Sequence, residues 1–215
     1  MTIKNKLTAS ITVLAVLSTI VACLGVGALS INAANETIHG EAMRHLISVR
    51  ETKKAQIERY FEQINNQVLT LANDRMIIDA TKRFKHSLFY RRDAEDIAFK
   101  RARLKQYYTK HFAEEYRKRN AGGVPNAVGL LKKLDKTAVE LQYQYIQTNV
   151  NPLGKKDNLN KAQDGSEYSN NHSLYHPHIR DYLNKFGYYD IFIVDPDSGR
   201  VIYSVFKELD ICDIT

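Results

Sequence analysis

The chain has 215 residues, is 44% hydrophobic and 26% charged, and carries a formal net charge of +7, with no Trp, 10 Gly and 4 Pro. That is enough for one membrane segment and one modest folded domain, and the scarcity of Gly and Pro favours a helix-rich protein. Its two cysteines, Cys23 and Cys212, are not placed to form a structural disulfide, and the absence of any CxxC excludes a cysteine metal finger.

Residues 1–6 read as a cytoplasmic stub holding Lys4 and Lys6. Leu7 to Asn35 then supplies 29 uncharged residues before Glu36. The apolar heart of that run, residues 7–29, spans about 30 Å as a helix, the thickness of a bilayer's hydrocarbon layer. The lysines before it favour a cytoplasmic N-terminus and place the remainder outside. A signal peptide is one rival, and a lipoprotein box at Ile20-Val21-Ala22-Cys23 is another. The run is too long for a usual signal core, however, and the sequence after Cys23 (LGVGAL) stays apolar instead of becoming a polar tether. An uncleaved, single-pass anchor is expected.

Residues 36–90 read as one long stalk helix with a break near Asp74. Ile57, Phe61, Ile64, Val68 and Leu71 alternate spacings of four and three, which is a heptad seam. Ala42, Leu46 and Val49 extend it towards the membrane. Such a seam calls for a partner surface, either the same helix of a second copy packed parallel or a sheet of the chain's own domain.

Residues 91–150 read as a helical region: Asp93–Lys118, a breaker at Asn120–Pro125, then Ala127–Val150. Between Lys82 and Arg119 the chain carries 13 Lys and Arg against 5 Asp and Glu, a local excess of +8. The acids Asp93, Glu95, Asp96, Glu114 and Glu115 interleave with the cations, so a solvated helix face is expected here and no nucleic-acid partner.

Residues 151–215 begin with a polar surface loop, Asn151–Asn171. A short helix, Ile179–Phe186, leads to two strands, Tyr188–Val194 and Val201–Phe206. The turn between them, Asp195-Pro196-Asp197-Ser198-Gly199, has Pro to preset φ and Gly to take a positive one. Asp195, Asp197 and Gly199 mimic part of a Ca²⁺ loop, but the downstream Glu is missing. His172, His176 and His178 lie close in HSLYHPH. Their spacing matches no standard metal site, and Pro177 is expected to start a helix rather than lie within one, so no metal is assigned. A role for these histidines in pH response stays open.

The words LQYQYI, NPLG, YHP, FGYYDIF and VIYSVFKE, in that order, resemble the start of the extracytoplasmic sensor of bacterial methyl-accepting chemotaxis receptors. Lys53–Phe84 is similar to the first long periplasmic helix of the same receptors, and the likeness runs with gaps over most of residues 45–209. It implies an α+β fold: an N-terminal transmembrane helix, a helical stalk and the first antiparallel hairpin of a PAS-like, Cache-type sensor sheet. It also implies the bacterial inner membrane, a periplasmic C-terminal bulk, a parallel homodimer and a small-molecule ligand for the intact receptor. In such a module one face of the sheet lines the ligand cavity. Strand alternation puts Tyr188 and Asp190 on one face and Tyr189 on the other, so these three are the candidate ligand residues; a packed core with a capping carboxylate is the competing reading.

The family pattern would continue beyond KELD with more strands, a second membrane helix and a signalling rod, whereas this chain continues Ile211-Cys212-Asp213-Ile214-Thr215. A truncated fragment is therefore expected, incompletely packed at a hairpin that is marginal on its own. Related sensors sit on membrane-bound adenylate, guanylate or diguanylate cyclases and histidine kinases, the alternative parentage. GxSxG, GxxxxGK[ST], HExxH and GxGxxG are absent from the sequence, and no catalytic residue or cofactor is assigned.

Overall fold

The structure, a computed structural model, describes residues 3–89 and 96–209. The protein is mostly helical, with a long N-terminal helix and one two-stranded antiparallel sheet, an α+β composition. The expected end of the stalk at Tyr90, the expected helix start at Asp93, and the tail with Cys212 lie outside the described residues. The chain divides into two compact units, Met1–Leu69 and Thr70–Thr215.

The first unit is a single helix. Helix α1 (Ile3–Ala72) runs unbroken from the apolar segment into the charged one. Among the described residues it is the one helix long and apolar enough to cross a membrane. Its apolar part returns its own hydroxyls to the backbone: Thr12 Oγ1 donates to the Thr8 carbonyl and Thr19 Oγ1 to that of Ala15, at 2.7 and 2.8 Å. Those groups thus need nothing from lipid. In the single chain the seam residues Ile57, Phe61 and Val68 are exposed and Ile64 is half-buried. Leu71 falls in the second unit, where it packs against the core.

The helix breaks where the sequence indicated. Asp74 ends α1 and starts α2 (Arg75–Phe89), its Oδ1 accepting the Met76 N–H at 2.7 Å. Helix α2 buries Ile77, Ala80, Phe84 and Leu88 along one stripe. Next come α3 (Ile97–Tyr107), a π-helical turn (Tyr108–Phe112) and α4 (Ala113–Arg119), which follow one another without a break.

The expected single helix 127–150 is instead α5 (Ala127–Lys133), α6 (Lys136–Gln142) and a second π-helical turn (Tyr143–Gln147). Leu134 is extended and Asp135 caps α6 through the Ala138 N–H at 2.8 Å. Arg101 explains why the interruption is tolerated. Its guanidinium donates to the Leu131 and Leu134 carbonyls, both at 2.8 Å, and so satisfies the free end of α5.

Helix α7 (Glu167–Phe186) also departs from expectation. It starts twelve residues before Ile179, out of the predicted loop, and carries Pro177 inside it. A mid-helix proline costs about 3 kcal/mol. Against that, Tyr168, His172, Tyr175, His176, Ile179 and Leu183 are all buried, and each large apolar side chain contributes about 1.5–3 kcal/mol. Gly187 closes the helix at φ 71, its N–H on the Leu183 carbonyl.

The hairpin is shorter than expected: β1 (Phe192–Val194) and β2 (Val201–Ser204), with a bulge after Ile193. Tyr188 to Ile191 lie outside the strand, where the Ile191 carbonyl shares the Val205 N–H with the Asp190 carboxylate. Its Oδ1 accepts the N–H groups of Val205 and Phe206 at 3.0 and 3.2 Å. Nor is the hairpin loosely packed. All of β2 is buried, Tyr203 stacks on Phe84 with centroids 5.0 Å apart, and Tyr168 donates to the Ile202 carbonyl.

Candidate functional site

Two features of the second unit carry unusual chemistry: a buried polar knot around Lys207, and a cleft beside it. The knot forms because α7 and β2 each project polar side chains into an aromatic core. Lys207 is 2% exposed and sits at φ 60 just after β2. That turn folds its side chain back, so Nζ donates to the Ser204 and Val205 carbonyls at 2.7 and 2.8 Å. Nζ also lies 3.4 Å from His176 Nδ1 and 5.1 Å from the Tyr203 ring centroid. Burial pushes the Lys207 ammonium far below the ordinary lysine range.

The two histidines of the knot are fully buried. His176 Nε2 donates to the Asp157 carbonyl at 2.6 Å, which leaves Nδ1 to accept from the Tyr203 hydroxyl, also at 2.6 Å. His172 Nδ1 donates to the Asn160 carbonyl at 2.7 Å, and its Nε2 has no partner among the described residues. Burial, then the neighbouring Lys207, drives both imidazoles down, His176 to about 2. Both are therefore neutral at any physiological pH. Pro177, expected to keep the histidines off one helix, does not: His172 and His176 are one turn apart on α7.

The cleft, about 470 Å³, opens between the two π-helical turns and the segment after β2. Tyr107, Phe112, Tyr116, Tyr189 and Phe206 give it five aromatic walls. Its ionisable lining, besides the tyrosines, comes from Glu115, Arg119, Glu208 and Lys207, the last with its Nζ turned onto backbone carbonyls. Arg119 Nε is held by Glu115 at 2.7 Å, while Glu208 accepts from the Tyr189 hydroxyl at 3.2 Å. Glu208 pushes the Tyr189 phenol up, and it adds to burial in doing the same to Tyr107.

The three candidate ligand residues do not converge. Tyr188 packs on Tyr182, with ring planes 7° apart. Asp190 is committed to protein donors, accepting from Ser204 Oγ and three backbone N–H groups. Of the three, only Tyr189 lines the cleft, at 77% exposure.

Much of the basic stretch is exposed, as a solvated helix face is expected to be, and part of it is tied down. Lys85 bridges Asp195 and Asp197 of the hairpin turn, and Lys100 pairs with buried Glu140 at 2.6 Å. The hydrogen bond from Lys85, helped by Ser198, holds Asp195 down at about 2. Among the described residues no cluster of three or more His, Cys, Asp or Glu could hold a metal ion.

Sequence reasoning missed Lys207, which follows VIYSVF as an ordinary charged strand end would. It also missed Glu208 and the aromatic residues of α3 and α4. No family model, curated protein or solved structure matches this chain.

Proposed function

We propose that this chain is the anchored sensor portion of a membrane signal receptor of the methyl-accepting chemotaxis type. The observation that carries the reading is α1. One continuous helix joins a membrane-length apolar segment to a charged segment whose heptad seam is left outward in the single chain. An outward seam of Ile57, Phe61, Ile64 and Val68 is what a parallel two-stranded stalk buries. The words of the resemblance support the same reading, since they fall on structural nodes of the second unit. FGYYDIF holds the helix cap Gly187 and the first residue of β1, and VIYSVFKE holds β2, Lys207 and Glu208. In this reading the protein lies in the bacterial inner membrane with its second unit in the periplasm. A ligand then acts by favouring one of two arrangements, and it shifts them only by its difference in affinity for the two.

Single cysteines test the stalk. In a Cys23→Ser, Cys212→Ser background, Phe61→Cys and Ile64→Cys should cross-link between copies in membranes far faster than Glu58→Cys and Gln63→Cys. Equal yields around the helix exclude a parallel stalk and with it the receptor reading.

A further inference from the structure

We infer that the cleft between the two π-helical turns binds a small organic monocation, an amine or quaternary ammonium on an apolar body. Its volume, about 470 Å³, lies within the roughly 300–1,000 Å³ typical of small-molecule sites. Five aromatic residues line it, and aromatic faces attract cations through the negative charge of the ring π-system. Each of the two π-helical turns contributes one residue to the lining, Phe112 from Tyr108–Phe112 and Ile146 from Tyr143–Gln147, and such turns, rare overall, are frequent at functional sites.

The charge bookkeeping selects the sign. Arg119 is already engaged by Glu115 at 2.7 Å. The Lys207 ammonium turns away, onto the Ser204 and Val205 carbonyls. Glu208 is left with no salt bridge among the described residues; its hydrogen-bond contact is the neutral Tyr189 hydroxyl, and Arg119, already paired with Glu115, acts on it only through space. A carboxylate without a salt-bridge partner at the rim of an aromatic cleft fits a cation. An anion would meet Glu208 and the π faces, and a neutral body would leave Glu208 unanswered. Glu208 pushes the Tyr189 phenol up and adds to burial in raising that of Tyr107.

The cleft stands on its own geometry; its use as a signal input rests on the receptor reading. The test is calorimetric titration of the full chain in detergent micelles with three probes of one shape: phenethylammonium, 2-phenylethanol and 3-phenylpropionate. Phenethylammonium should bind at least tenfold more tightly than the alcohol, and the propionate should not bind. Glu208→Gln should erase the preference for the cation while micelle partitioning stays the same. Tyr189→Leu, at an exposed position outside the core, should weaken the cation several-fold with the fold intact by circular dichroism. Equal affinity for cation and alcohol, an unchanged preference in Glu208→Gln, or no binding of any probe at millimolar concentration overturns the proposal. Failure here with normal Phe61→Cys cross-linking overturns the cleft alone. Binding with no stalk cross-linking supports the cleft and overturns the receptor.

Discussion

His172 and His176 stack one helical turn apart, ring centroids 4.3 Å from each other, in opposite tautomers. His172 carries its proton on Nδ1 and His176 on Nε2, because each must donate to a backbone carbonyl. Protonating His176 would turn the Nδ1 acceptor into a donor facing both the Tyr203 hydroxyl and Lys207.

The second unit should therefore lose stability in mild acid. In the unfolded chain these imidazoles take up protons below about 6.5, whereas in the fold they stay neutral down to about 2 for His176. No contribution arises at pH 8; the loss begins as pH falls through 6.5. Well below that it amounts to about 1.4 kcal/mol per pH unit for each histidine. Denaturant titrations between pH 7.5 and 5 measure the slope, and His176→Gln should reduce it below about pH 6.5. A flat profile contradicts neutral burial.

The hairpin tie has its own, lower window. Asp195 is depressed to about 2 in the fold against about 3.9 when unfolded. Its contribution is complete above about pH 4 and disappears between roughly 4 and 2. Lys85→Met should return the Asp195 pKa towards 4, read by carboxyl carbon NMR shifts.

Phe84 stands at the centre of the aromatic core, fully buried, stacked on Tyr203 and 5.1 Å from the Tyr168 ring. Phe84→Ala should cost about 3–5 kcal/mol. Chemical denaturation followed by far-UV circular dichroism checks the figure. A loss below 1 kcal/mol would mean that α2 does not pack on the hairpin.

Cys23 reports the anchor. In a Cys212→Ser background it should resist a membrane-impermeant maleimide in intact spheroplasts and in inverted vesicles alike. Asn35→Cys, with Cys23 replaced by Ser, should label in spheroplasts. Labelling of Cys23 from either side would place it outside the hydrocarbon.

Local chemistry was readable where a residue acts on its neighbours. Asp74 caps the helix it precedes, and the turn from Asp195 to Gly199 closes as its residues dictate, with the Gly199 N–H on the Asp195 carbonyl. The Asp135 cap was equally readable but lies inside LLKKLDKTAVEL, whose apolar spacing mimics one continuous helix. What stayed hidden depends on contacts distant in sequence. Pro177 is carried by the burial of α7 against α2 and β2. Lys207 is inside because residues 140 to 176 close over it. Tyr188, Tyr189 and Asp190 point to three different tasks because the strand begins only at Phe192.

The first π-helical turn, between α3 and α4, is in effect a one-residue insertion into an α-helix. Residues beyond it are rotated by about 100° relative to an uninterrupted helix. Excising Thr109 should let α3 and α4 run together as plain α-helix and swing Phe112, Tyr116 and Arg119 round the axis, dismantling one wall of the cleft while the helix itself survives. The cleft's shape is thus encoded in the count of residues along a helix as much as in their chemistry, and a single-codon deletion can erase it where most single substitutions only trim it.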